Sequence, residues 1–180
     1  MLKSLVVFFR NKAIKKGRLK QRSVIMPDVT NLSAITLLMD PDQYKSTKEI
    51  EKVLKTLYQA KKFRYVMYCD LIPNDKLQTD TMVFLTKDDF NIFGIIKKDK
   101  LDVINSFENE ILINMSEDNE LIINDYLQSL INSSFVIGHS KLNKDFHDLT
   151  FDYGIEKDVV QRLRILHKYL LMLLGNKNEK

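Results

Sequence analysis

Apolar positions in this chain form two kinds of run, short solid ones and longer spaced ones, and their alternation predicts an α/β order. Residues 34–39, Ala-Ile-Thr-Leu-Leu-Met, are nearly all apolar, as a strand covered on both faces must be. Beyond Pro41, Ile50, Val53, Leu54, Leu57 and Tyr58 fall on one helical stripe, while Lys48, Glu51, Lys52 and Lys55 face elsewhere. Ser46 and Glu49 have the spacing of a capping box at the start of that helix. Residues 63–69, Phe-Arg-Tyr-Val-Met-Tyr-Cys, read as a second buried strand. Strand, helix and strand in that order predict a right-handed crossover.

The remaining chain repeats the alternation. Pro73-Asn74-Asp75 turns it, residues 82–85 form a short apolar strand, and the polar Thr86-Lys87-Asp88-Asp89 follows. Leu101, Ile104 and Phe107 predict a helix over 98–108 that Asp99 can cap. A strand over 111–115, a helix over 121–131 and a strand over 135–138 make a second unit. Leu149, Phe151 and Tyr153 alternate with Thr150 and Asp152, the pattern of a half-exposed edge strand, with an antiparallel direction as one option. The last helix is capped by Asp158, buries Val159, Leu163, Leu166, Leu170 and Leu173, and ends at Gly175. The expected fold is a three-layer α/β/α domain over residues 30–175 with a mostly parallel sheet of five or six strands. Residues 1–29 form a basic arm with an appended amphipathic helix, and residues 176–180 a disordered tail.

Charge adds a feature the apolar pattern does not show. The first 22 residues hold Lys3, Arg10, Lys12, Lys15, Lys16, Arg18, Lys20 and Arg22 and no acid, whereas the rest of the chain has 20 bases against 24 acids. A basic arm is set on an acidic body. Leu2, Leu5, Val6, Phe9 and Ala13 recur at helical spacing within the arm, so its helix has an apolar side and bases over much of the remainder. That side either packs on the domain or enters a lipid interface, with Lys12, Lys15, Lys16, Arg18, Lys20 and Arg22 meeting an acidic protein or an anionic membrane. Nucleic acid ranks third, because no aromatic residues interleave the bases from Lys12 to Arg22.

Composition narrows the remaining classes. A single cysteine, Cys69, excludes an intramolecular disulfide framework and fits a reducing compartment. The apolar run at residues 5–9 is shorter than a secretory signal core, and no run reaches the length of a membrane span, so the expected location is cytoplasmic, with peripheral attachment at the inner membrane as an option. Five isolated glycines build neither a Walker loop nor a dinucleotide fingerprint.

The segments Leu85-Thr-Lys-Asp-Asp-Phe-Asn-Ile-Phe-Gly94, Ile111-Leu-Ile-Asn-Met-Ser116, Phe135-Val-Ile-Gly138 and Phe146-His-Asp-Leu-Thr-Phe-Asp152 together resemble a family of short uncharacterised proteins of Bacteroidetes. The resemblance implies one α/β domain preceded by a basic arm. It implies no catalytic residues, because the family is a domain of unknown function.

Candidate chemistry is sparse. Asp40-Pro41-Asp42 follows the first strand, where haloacid-dehalogenase-like phosphatases place a nucleophile and an acid/base around Mg²⁺, and Thr86 with Asp88 and Asp89 could be cast as their partners. The intervening proline and the early Asp88-Asp89 depart from that pattern, and carboxylates in such loops commonly cap helices. His139 and His147 flank one loop near Asp145 and Asp148, yet no further soft ligands accompany them, so no metal site is assigned. His167 reads as a packed helix residue. Cys69 beside Asp70 should have a raised thiol pKa and behave as a small buried hydrophobe. Parallel α/β sheets place ligands beyond their carboxyl ends, so the ligand rim is Asp40, Asp42, Asp70, Ser116 and His139. The preferred function is a non-enzymatic binding or scaffold module that needs no cofactor. The alternative is a phosphate-ester hydrolase or phosphotransferase using Asp40, Asp42 and Mg²⁺.

Overall fold

A computed structural model describes residues 2–18, 24–72, 78–117, 120–139, 147–156 and 158–175. The Pro73-Asn74-Asp75 turn, Asp145, Phe146, Lys20, Arg22 and the 176–180 tail lie outside the described residues, as does the Arg18 side chain. In chain order the elements are α1 (Leu2–Arg18), β1 (Ala34–Met39), α2 (Thr47–Thr56), β2 (Lys62–Tyr68), β3 (Met82–Leu85), α3 (Lys98–Asn105), β4 (Asn109–Asn114), α4 (Ile123–Leu130), β5 (Ser133–His139), β6 (Leu149–Phe151) and α5 (Val159–Gly175). All six strands are parallel, in the order β3-β2-β1-β4-β5-β6. The expected α/β sheet with helices on both faces is therefore present, and its edge strand β6 runs parallel to β5, with Ile137 opposite Leu149 and His139 opposite Phe151.

Period-two alternation assigns each strand residue to one of two cores. Ile35, Leu37 and Met39 of β1, with Tyr65 and Met67 of β2, point to the face covered by α2 and α5 through Ile50, Val53, Leu54, Leu163, Leu166 and Leu170. Leu38, Val66, Val83, Leu112 and Val136 point the other way, to Ile14 of α1, Ile104 of α3 and Tyr126 and Leu127 of α4. Each fully buried Leu or Ile contributes about 1.5–3 kcal/mol relative to exposure, so both faces are strongly specified. A one-residue slip would invert every assignment.

Several local expectations change. Ser46 makes no side-chain cap; a 3₁₀ turn over Pro41–Ser46 runs directly into α2, so the helix start is already ordered by preceding backbone. Asp99 sits inside the first turn of α3, whose N-cap is Lys97, and the helix stops at Asn105. Its end is held from the sheet: Arg64, buried on β2, donates to the carbonyls of Val103 (2.9 Å) and Ile104 (2.5 Å) and lies over the Phe107 ring at 4.6 Å. A cation at a helix C-terminus complements the orphan carbonyls there. On α5, Asp158 does cap, its Oδ1 accepting from the Val160 N–H at 3.0 Å. Leu173, expected in the core stripe, is 42% exposed, while Leu174, about 100° further round the helix, packs against the core in its place.

Candidate functional site

The strand order places a topological switch between β1 and β4, where successive connections depart in opposite directions and leave a crevice at the carboxyl ends. Asp40 ends β1 at this point and Ser116 follows β4. The Ser116 hydroxyl donates to Asp40 Oδ1, and the Glu117 N–H donates to Asp40 Oδ2 at 2.8 Å. Thus both carboxylate oxygens tie the β4 loop to the end of β1. Glu117 in turn pairs with Arg162 of α5, whose guanidinium is buried over the Tyr153 ring and also donates to the Glu156 carbonyl at 2.6 Å. Asp42 is exposed in the 3₁₀ turn. Asp89 accepts from the Thr86 N–H at 2.7 Å and pairs with Lys100 at 3.2 Å, so it closes its own turn.

Beneath Ser116 lies a buried polar layer facing α4. Asn124 donates to Ser116 Oγ at 2.5 Å, and Asn114 donates to Gln128 Oε1 at 2.8 Å while its own Oδ1 accepts from the Ser116 N–H at 3.1 Å. His147 Nε2 lies 3.2 Å from the same Gln128 oxygen and so carries the ring hydrogen. Burial pulls the pKa of His147 down to about 4, against a smaller upward pull from Asp148, which keeps the ring neutral. The ring fits there because β5 has glycine at 138: a Cβ on Gly138 would come 1.8 Å from His147 Nε2. His139, next in the chain, points to the opposite face and stacks on Tyr153 at 5.2 Å. Alternation across the strand separates these two histidines. Asp70 is exposed after β2, and burial raises the thiol pKa of Cys69, with Asp70 and Asp89 adding to the rise. Among the described residues, no three His, Cys, Asp or Glu side chains gather as a metal site would.

A second candidate surface is built by α1. Its docked face is centred on Arg10 and Ile14, both buried, and it packs on α4. Arg10 Nε donates to the Gly94 carbonyl at 3.0 Å and Nη1 to the Leu121 carbonyl at 2.9 Å, with the guanidinium 5.3 Å from the Phe90 centroid. Burial lowers its pKa, and the two carbonyls take up two of its five N–H donors. Leu121 and Ile122 both have positive φ, 51° and 54°, a costly conformation for residues with a branched or bulky side chain. Arg10 pins the carbonyl of this strained turn.

Docking through Arg10 and Ile14 leaves the expected apolar stripe partly outside. Leu2 is 68% exposed and Leu5 43%, and Phe8 is 61% exposed on the same outward side. Ile92 and Phe93, 74% and 42% exposed, extend this apolar ground from the loop after β3, joined to α1 by the Phe9–Phe93 ring contact at 4.7 Å. Further along the same outer face come Lys12, Lys15 and Lys16, all exposed. Sequence reading missed Arg10 as an anchor, and it missed Asn124 and Gln128. The only signal for the last two was a pair of amides four residues apart on one helix.

A parallel six-stranded sheet in this order defines a doubly wound α/β protein, the arrangement that dinucleotide-binding domains also use. Within that class the chain belongs to a family of unknown function (DUF6913), whose model matches residues 7–173. No match was found among curated proteins or among solved structures. No helix of the described residues is long and apolar enough to cross a membrane.

Proposed function

We propose that this chain is a non-enzymatic binding module that docks on an anionic membrane surface, at the cytoplasmic side, through the outer face of α1 and the neighbouring 91–95 loop. The observation that carries this is the order of side chains on that face. Leu5 and Phe8 lead, Ile92 and Phe93 broaden the apolar end, and Lys12, Lys15 and Lys16 follow along the same helix face. A lipid interface satisfies both halves together: the apolar side chains enter the acyl boundary while each base meets anionic headgroups, at about 1 kcal/mol per base near the surface. Arg18, Lys20 and Arg22 continue the same basic stretch in sequence.

Cosedimentation with vesicles tests this. The protein should pellet with phosphatidylcholine vesicles containing phosphatidylglycerol, and not with phosphatidylcholine alone. Phe8→Asp and the combined Lys12→Glu, Lys15→Glu, Lys16→Glu variant should each abolish pelleting, since all four side chains are exposed and their replacement leaves both cores intact. Failure of the wild type to pellet with either vesicle would overturn membrane docking and leave an acidic protein as the arm's partner. The hydrolase alternative has its own discriminator: a Mg²⁺-dependent phosphatase activity lost in Asp40→Asn would replace docking as the function.

A further inference from the structure

We propose that the cavity beneath the first turns of α1 is a binding site for a single-chain amphiphile with an anionic head. The cavity measures about 650 Å³, inside the range of roughly 300–1,000 Å³ that small-ligand sites occupy. It opens between α1 and the segment after β3, beyond the carboxyl ends of β2 and β3, the side of a parallel sheet on which ligands sit. Its walls are apolar: Leu2 and Val6 come from α1, Phe90 and Ile92 from the loop, and Leu121 from the strained turn before α4. Leu2 and Ile92 are also the most exposed apolar residues of the patch described above, so the mouth opens within it.

The charge around that mouth selects the head group. Lys3, Lys87 and Lys97 line the cavity against one acid, Asp88. Glu120, beside the mouth, pairs with Lys3 at 3.4 Å, which leaves Lys87 and Lys97 as the cations best placed for a ligand. Arg10 lines the floor and gives two of its five N–H donors to the Gly94 and Leu121 carbonyls, which fixes its guanidinium against the wall of the cavity. A chain therefore lies against Val6 and Phe90 while a carboxylate or phosphate stays in solvent at the two lysines. Burying apolar length gives affinity, and the lysines give sign selectivity.

Two sources share this chemistry, a free fatty acid and the acyl chain of an anionic lipid, and both can be offered without a bilayer. The chain contains no tryptophan, so Ile92→Trp places a single indole at the mouth as a reporter. Octanoate, decanoate and dodecanoate, below their micelle concentrations, should shift its fluorescence saturably and bind roughly four-fold tighter per added methylene until the cavity is full. Lysophosphatidylglycerol serves as the lipid arm. Saturable binding of either probe, with Lys87→Glu/Lys97→Glu weakening it at least ten-fold, supports the site and names its source. Binding of neither probe would overturn it, as would equal binding of decyltrimethylammonium or affinity that ignores chain length. Because no vesicle is present, this outcome is independent of whether α1 docks on membranes.

Discussion

Arg10 shows how one residue can reverse the meaning of its own charge. Counted in the sequence it is one more base of an outward arm; in the structure it is 4% exposed and holds α1 to the loop after β3 and to the turn before α4. Arg10→Met keeps the aliphatic stem and removes both bonds, and should cost roughly 2–3 kcal/mol in urea unfolding, the weight of charge-assisted bonds to buried carbonyls. His147 makes the complementary case for pH. The unfolded chain takes up a proton near the ordinary histidine value of 6.5, the folded one only near 4, so the unfolded state binds more protons between them. Stability should therefore fall as pH drops from about 6.5 to about 4, and His147→Gln should flatten the part of the profile that this ring supplies. An unchanged slope in that variant would refute the assignment.

At the scale of elements, the close approach of α1 to the 91–95 loop depends on Gly94. Its φ of +73° suits glycine, and a Cβ there would lie 2.5 Å from Val6 Cγ1 and 3.2 Å from Arg10 Nε. Gly94→Ala should destabilise by about 2 kcal/mol, and hydrogen exchange should rise first in α1, ahead of the sheet. If exchange rises uniformly instead, α1 is not a separately detachable element. Strands were the more legible elements: β1 and β3 stand at the expected residues because solid apolar runs allow no other placement. Helix ends were less so. Ser46 has the composition of a cap, but the preceding 3₁₀ turn already supplies the backbone order a cap would give.

For the molecule as a whole, the uneven charge sets the expected response to salt. If the outer face of α1 docks on anionic lipid, vesicle affinity should fall steeply between low and physiological ionic strength, because exposed lysines are screened over about 8–10 Å. The thermal midpoint should change little over the same range, since both cores are apolar and the bases that matter to stability, Arg10, Arg64 and Arg162, are buried. A parallel loss of binding and folding would contradict this separation.

The sequence by itself determined the α/β order, the parallel character of the sheet and the contrast between a basic start and an acidic body, because each is carried by local pattern: solid apolar runs, helical stripes and charge counts. Only the tertiary structure decided which strands are neighbours, that β6 is parallel, and that Asp40 meets Ser116 across the switch point 76 residues away. It also decided that His139 and His147 face opposite sides of one sheet, and that α1 turns Arg10 inward and Phe8 outward. Those facts depend on packing between segments distant in the chain. A helical stripe shows that a helix has a buried side, but which of several mixed faces goes inward depends on the carbonyls and cavities the rest of the fold presents to it.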